Sequence, residues 1–404
     1  MVETMAELET FDVVVVGGGP AGATAATDLA RHGRSVLLLD KAGRIKPCGG
    51  AVPPRLIRDF EIPDHLICAH ITSARIISPT DRHVDMPIDG GFVGMVNRDV
   101  FDEWLRERAR DAGAVRRSGS FEDIQRESDG TAVVLYRPKG AAPDSPPERV
   151  RARTIIGADG ANSTVARHHV PDAGRAPFVF AYHEIIRTPT KAEAPNFDGT
   201  RCDVYYRGTL SPDFYGWIFP HGDTTSIGTG SMHKGFSLRE AVGELRRAAG
   251  LEHAETLRHE GAPIPLRPLK RWDNGRDIVL AGDAAGVVAP ASGEGIFYAM
   301  TGGRVAAEAV QTFLVTGDAT SLKLARKHFM ADHGRVFWVL EKMQNYWYSN
   351  DKRRERFVSI CGDRDVQQIT WDAYMNKRLV RSRPFAHARI FFKNIAHLTG
   401  LVPA

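Results

Sequence analysis

The chain has 404 residues, of which 43% are hydrophobic and 25% charged, and its net charge is +4. These proportions are ordinary for a globular protein, and the net charge is too small to argue for nucleic acid, so no nucleic-acid partner is expected. The length exceeds one simple core, so two domains, or one with a substantial insertion, are expected. The four cysteines, Cys48, Cys68, Cys202 and Cys361, have no metal-ligand or disulfide-framework spacing. No metal site is therefore expected, and a reducing compartment, by default the cytoplasm, fits. The acidic N-terminus lacks a signal-peptide pattern. No run approaches the ~20 apolar residues of a spanning helix, so any membrane contact should be peripheral.

In chain order, the first element is an apolar run, Val13 to Val16, leading into Gly17-Gly18-Gly19-Pro20-Ala21-Gly22. The spacing of Gly17, Gly19 and Gly22 suits a strand turning tightly into a helix, with room for a pyrophosphate to approach the backbone at Gly19. The free amides of the helix start favour phosphate. A second apolar run, Ser35 to Leu39, delivers Asp40 eighteen residues after Gly22, where a carboxylate can accept bonds from ribose hydroxyls. An acid there repels a 2′-phosphate, so the dinucleotide should be FAD or NAD.

Helix and strand patterns alternate along the remainder, as in an α/β fold with inserted β structure. Arg137 to Glu148 is rich in Pro, Ala and charge and separates alternating segments at Thr131–Tyr136 and Arg149–Ile156. It reads as a long hairpin tip. A strand at Thr154–Gly157 ends in Asp159-Gly160 and passes into a helix start with Ser163 in its first turn, which brings backbone close to a nucleotide. From Arg187 through Gly261 the pattern is strand-rich and aromatic, with Tyr205, Tyr206, Phe214, Tyr215, Trp217 and Phe219. A third strand, Ile278 to Ala281, ends at Gly282-Asp283, and Pro290-Ala291-Ser292-Gly293-Glu294-Gly295-Ile296 opens a helix toward an anionic ring or phosphate.

Over about the first 330 residues, these three motifs in this order resemble the flavoprotein class typified by para-hydroxybenzoate hydroxylase. More narrowly, Lys46-Pro47-Cys48-Gly49-Gly50, Tyr215-Gly216-Trp217-Ile218-Phe219-Pro220 and the Pro290 to Gly295 loop are similar to the geranylgeranyl reductase family, above all its chlorophyll and bacteriochlorophyll branch.

The resemblance implies a Rossmann-like FAD-binding domain at 11–80, 94–176 and 262–330. It also implies an inserted β-rich substrate domain at 81–93 and 177–261, and a C-terminal helical cap at 331–404. It assigns Gly17, Gly19, Pro20, Ala21 and Gly22 to the pyrophosphate, and Asp40 with Lys41 to the adenosine ribose. Arg98 goes to the phosphates, and Asp159 and Gly160 to the nucleotide path. Gly282 and Asp283 serve the ribityl or pyrophosphate, and Pro290, Gly293, Glu294, Gly295 and Ile296 the flavin ring. Cys48, Gly49 and Gly50 form the loop facing the flavin; Cys48 reads either as an active-site thiol or as a small buried residue.

The implied activity is saturation of the C=C bonds of a geranylgeranyl chain, free as diphosphate or esterified to a (bacterio)chlorophyllide, with hydride from reduced flavin N5. The resemblance implies NADPH as donor, or ferredoxin as in some relatives; only one dinucleotide motif occurs, so a nicotinamide donor would bind transiently over the flavin. An isolated alkene demands a dry, aromatic site with one acid. Tyr215 and Trp217 suit it through their π faces, although aromatics two apart on a strand also share a face by simple alternation. The acid is Cys48, Tyr215 or a water held by Glu294. Two rivals stand beside this reading, a flavin monooxygenase and a non-catalytic prenyl carrier.

In the tail, Val336, Leu340, Met343 and Trp347 recur at helical spacing, followed by Lys352-Arg353-Arg354-Glu355-Arg356. Residues 351–404 hold 11 Lys or Arg against 5 Asp or Glu, interleaved with Phe385, Ile390, Phe391 and Phe392. Such a segment can lie on an anionic bilayer surface or form a solvated helical cap.

Overall fold

The computed structural model describes residues 8–41, 45–142, 144–173 and 176–377. The chain opens with the expected unit of β1 (Thr10–Val16), α1 (Pro20–Arg31) and β2 (Val36–Asp40). Val13, Val14 and Val15 have no exposure at all, as befits a central parallel strand covered on both faces. β3 (Ala51–Val52), α2 (Pro54–Asp59) and β4 (Ala69–Ile71) follow, then the hairpin β5 (Ser73–Ile77) and β6 (His83–Pro87), and β7 (Val93–Met95). α3 (Arg98–Asp111) returns the chain to the first sheet at β8 (Val115–Arg126), β9 (Ala132–Pro138) and β10 (Glu148–Gly157), after which α4 (Thr164–His169) begins. β9 and β10 pair antiparallel from Tyr136↔Glu148, so the irregular Pro-rich stretch is a hairpin tip, a residue or two shorter at each end than read from sequence.

The second sheet is built from β11 (Phe178–Arg187), β12 (Arg201–Tyr205), β13 (Gly216–His221), β14 (Thr224–Ser231) and, beyond α5 (Leu238–Ala248), β15 (Thr256–Pro265). β16 (Ile278–Leu280), α6 (Ile296–Thr316), α7 (Lys323–Trp347), α8 (Asp351–Cys361) and α9 (Arg364–Asn376) complete the described chain.

The first sheet is parallel across β8-β2-β1-β10-β16, with β9 bridging the extended ends of β8 and β10. The second has the order β15-β11-β14-β13-β12-β5-β6, and only its β12–β5 pair is parallel. A small sheet, β3-β7-β4, lies between them in sequence. The expected domain limit at residue 80 falls inside the β5–β6 hairpin, whose two strands both belong to the second sheet. Likewise 262 lies within β15 and 331 within α7. We propose limits at the ends of these elements, which keeps each strand and helix within one unit.

α5 covers one face of the second sheet, packing Val242 and Leu245 on Ile186, Ile218 and Ile227. On the other face Ala74, Ile76, Val84, Met86, Tyr206 and Trp217 cluster with Tyr348, Val358 and Cys361. The deepest stripe of α7 is Phe329, His333, Phe337 and Gln344. The expected stripe of Val336, Leu340, Met343 and Trp347 is only half-buried. The basic run on α8 also departs from a solvated face. Arg354 is buried and donates to the carbonyls of Ser211, Pro212 and Tyr348. A buried guanidinium needs several acceptors, and three carbonyls from two segments supply them. The aromatic stretch with Phe385, Ile390, Phe391 and Phe392 lies outside the described residues. Among the described residues no helix is long and apolar enough to cross a membrane.

The end of α9 is fastened to the core at two points. Arg55 donates to the Asn376 carbonyl at 2.6 Å, and Lys377 forms an ion pair with Glu294 in which both side chains are buried. The ammonium also lies over the Tyr374 ring, 3.7 Å from its centroid. Burial raises the Glu294 carboxyl above its ordinary range while the Lys377 charge opposes that shift, and burial lowers the Lys377 ammonium. Breaking a buried pair costs more than replacing it, because the remaining charge is stranded. Lys377→Met should therefore destabilise the fold by roughly 3–5 kcal/mol, with much of that recovered in Lys377→Met/Glu294→Gln. Urea unfolding monitored by circular dichroism checks this; a single variant within about 1 kcal/mol of the native protein would contradict a fastening role.

Candidate active site

Between the two sheets runs an open cleft with a cavity volume of about 390 Å³. Its outer end is built by β1, α1, β2 and α3. Gly17, Gly18, Gly19, Pro20 and Ala21 line it, with Asp40 and Lys41 across the loop. Gly22 is not in the wall. A Cβ there would stand 1.8 Å from the Gly17 carbonyl oxygen, so its role is to let α1 pack onto the end of β1. A Cβ on Gly19 would meet nothing within 4 Å. No side chain caps α1, which leaves its first-turn amides facing open space, the arrangement that takes an anion.

Asp40 is pre-set by two partners. Its Oδ1 accepts the Gly18 amide at 3.0 Å, and Arg106 approaches its Oδ2 at 3.2 Å. Arg106 escaped the sequence reading, yet a signal existed: Arg98, Asp102 and Arg106 recur every four residues and so share one face of α3. All three are buried and line the cleft. Arg98 donates to both Asp102 oxygens, at 2.8 and 2.7 Å, and also contacts Cys48. Burial disfavours its charge, but Asp102 and Cys48 outweigh that and hold the guanidinium above its ordinary value. The side chain expected to reach phosphates is thus already engaged by a carboxylate and a sulfur.

On the opposite wall Asp159, Gly160 and Thr164 line the cleft. The Asp159 carboxylate accepts the Ser163 hydroxyl and the amides of Thr164 and Val165, at 2.7 and 3.2 Å for the amides, so it serves the start of α4. Ser163 is the cap residue, its Oγ accepting the Ala166 amide. Burial raises the Asp159 carboxyl although these hydrogen bonds oppose it. Asp283 also lines the cleft and is ion-paired with Lys46.

The inner end is bounded by Pro47, Cys48 and Gly49 on one side and by Ala181, His183, Trp217 and Ala262 to Ile264 of the second sheet on the other. Val288, Gly293, Gly295 and Ile296 close it. The structure therefore brings Cys48 and Trp217 to one cavity. It does not bring Tyr215 there. That residue precedes β13, stacks on Phe214 with centroids 4.2 Å apart, and donates its hydroxyl to the Ser292 carbonyl at 2.6 Å. Burial pushes its phenol far above the usual range. Gly50, Gly282, Pro290 and Glu294 stand behind the wall rather than in it. Glu294 turns its Oε2 to Lys377, while its Oε1 is buried without a hydrogen-bond partner among the described residues. Behind the Lys46–Gly50 loop, His221 shares a hydrogen bond with the Gly49 carbonyl at 3.1 Å, and burial pushes its imidazole down to about 4. A group of side chains with neighbouring metal-ligating atoms, Asp123, His168 and His169, lies outside the cleft lining.

The donor set fits a flavin dinucleotide: uncapped helix amides at an unobstructed glycine, an oriented acid at the end of β2, and a cavity passing from polar to apolar lining. Residues 12–61 match the family model described as FAD dependent oxidoreductase. The chain is 60% identical to geranylgeranyl diphosphate reductase of Rhodobacter capsulatus, over 97% of this chain and 98% of that protein. It is 35% identical to the chloroplastic geranylgeranyl diphosphate reductase of Oryza sativa subsp. japonica, over 96% and 86%. Its fold is similar to the crystal structure of a geranylgeranyl bacteriochlorophyll reductase-like protein from Thermoplasma acidophilum, with a TM-score of 0.80 at 22% identity, over 94% of this chain and 100% of that one. A cleft of this make-up on this fold, with such identity along nearly the whole length, shows that the chain belongs to the geranylgeranyl reductase family of FAD-dependent oxidoreductases.

Proposed function

We propose that this protein saturates C=C bonds of a geranylgeranyl chain, carried as the diphosphate or on a (bacterio)chlorophyllide, to give a phytyl chain, with NADPH as electron donor. The observation that carries the reading is that Cys48 and Trp217 line the same cleft as Gly17 to Ala21, Asp40, Asp159 and Asp283. FAD, when bound along Gly17 to Ala21, Asp40, Asp159 and Asp283, supplies hydride from its reduced ring. The chain's own residues supply the rest. Trp217 offers an electron-rich face to the positive charge that grows on the alkene carbon. The surrounding Ala181, Ile264 and Val288 keep water away, which strengthens that attraction.

Of the three proton sources read from sequence, two lie outside the cleft lining. The Tyr215 hydroxyl donates to Ser292, and Glu294 pairs through Oε2 with Lys377. Cys48 remains, and the Arg98 guanidinium beside it would stabilise the thiolate left on Sγ after transfer. Anaerobic incubation with NADPH and geranylgeranyl diphosphate or geranylgeranyl-bacteriochlorophyllide should give products heavier by successive pairs of hydrogens. Hydroxylated products formed with oxygen consumption would favour a monooxygenase instead. Cys48→Ser should retain FAD and lose at least about 100-fold in kcat, the general-acid share; a kcat within about threefold of the native value would assign the proton elsewhere.

The nucleotide end is tested separately. Gly19→Val should fold with native circular dichroism but lose FAD affinity by about 100-fold or more, roughly 3 kcal/mol, because its side chain enters open cleft space; a yellow Gly19→Val protein would contradict the placement. A peripheral membrane contact through 378–404 belongs to the same reading. Its test is a chain ending at Lys377, since ending at Asn350 would remove Arg354 and Lys377 from the core. Liposome sedimentation equal to that of the full chain would remove the idea.

A further inference from the structure

One row of residues crosses the second sheet through the cleft wall. Strand register aligns Glu260 with His183, His183 with Gly228, Gly228 with Trp217, Trp217 with Val204, Val204 with Ile76 and Ile76 with Val84. Residues directly opposite one another project from the same face. The row is therefore polar at the β15 edge and apolar from Trp217 onward, and it changes character where it meets the cleft. Gly228 makes the change of character work. A Cβ there would lie 2.2 Å from Trp217 Cζ2 and 2.6 Å from His183 Cβ, so its absence lets the indole lie across β14 toward the imidazole.

The polar half is a continuous chain of hydrogen bonds. The Trp217 indole N–H donates to Ser226 Oγ at 3.1 Å. Ser226 Oγ pairs with His183 Nδ1 at 2.9 Å, and His183 Nε2 pairs with Glu260 at 3.2 Å. The Glu260 carboxyl, held below its ordinary range first by the hydrogen bond from His183, accepts from Nε2–H. With the imidazole neutral, Nδ1 is then an acceptor, the Ser226 hydroxyl donates to it, and a lone pair of that oxygen remains for the indole. In that protonation state each donor of the chain has one acceptor. His183, Ser226 and Trp217 are buried, where an unpaired N–H would cost about 1–3 kcal/mol.

The geometry points to Ser226, held by His183 and Glu260, as the positioning residue that fixes the Trp217 indole in the wall of the reaction cleft. This rests on the proposed alkene reduction for its catalytic consequence: attraction between a cation and an aromatic face depends on the ring staying in place. Ser226 does not touch the reacting atoms; it acts through Trp217.

The test is a double-mutant cycle with a spectroscopic companion. Ser226→Ala should lower kcat about tenfold or more with KM within about twofold. In a Trp217→Phe background, which has no indole N–H to hold, the same change should cost less than about twofold. Equal losses in both backgrounds would overturn the assignment. With 5-fluorotryptophan incorporated, the ¹⁹F resonance identified as Trp217 by its loss in Trp217→Phe should be single and narrow in the native protein and shifted or broadened in Ser226→Ala. An unchanged resonance would also overturn it. Glu260→Gln, at the other end of the chain, should move the resonance the same way and serves if Ser226→Ala does not fold. A native protein that turns over no prenyl substrate would sink the proposed function, while the resonance would still decide the positioning.

Discussion

Everything at the nucleotide end depends on how closely the helix after the first strand can approach it. Gly22 without a side chain lets α1 rest against the Gly17 carbonyl, and that contact aims an uncapped row of amides at the space in front of Gly19. The rest follows from where those amides point. Asp40 is delivered to the same space by β2 and steadied by Gly18 and Arg106. β10 and β16, parallel neighbours of the same sheet, bring Asp159 and Asp283 to the opposite wall.

The second sheet adds an apolar wall to that cleft. Its face opposite α5 is shared between the cleft and the helices α7 to α9, and the loop 289–296 lies between the two. Tyr215 holds the loop from the sheet side through Ser292, and Lys377 holds it from the helical side through Glu294. Gln344 of α7 accepts the Ala291 amide at 3.0 Å. A loop gripped from three directions keeps Gly293 and Gly295 at the inner end of the cleft, and it makes the C-terminal helices part of the site's support.

The parts of this arrangement legible in the sequence are those encoded locally. A glycine spacing, an apolar run and an acid lie within thirty residues, and the strand ends at Asp159 and Asp283 are each readable from a dozen neighbours. What escaped is encoded across long separations. Arg106 required seeing α3 as a helix facing the cleft. Glu294 and Lys377 are 83 positions apart. His183, Ser226 and Glu260 come from three strands, and only their register makes them one chain. Tyr215 keeps the side that alternation gives it, its ring centroid 6.0 Å from that of Trp217, but its hydroxyl donates to Ser292, 77 positions away.

In the proposed reaction, reducing equivalents pass from the flavin in this cleft to an isolated alkene. The direct measurement photoreduces the purified yellow protein in the absence of oxygen and NADPH, then mixes it rapidly with geranylgeranyl diphosphate or geranylgeranyl-bacteriochlorophyllide. Return of the oxidised flavin absorbance, matched mole for mole by product two hydrogens heavier, is the predicted result. A flavin that stays reduced with both substrates, and is oxidised only when air is admitted, would contradict it.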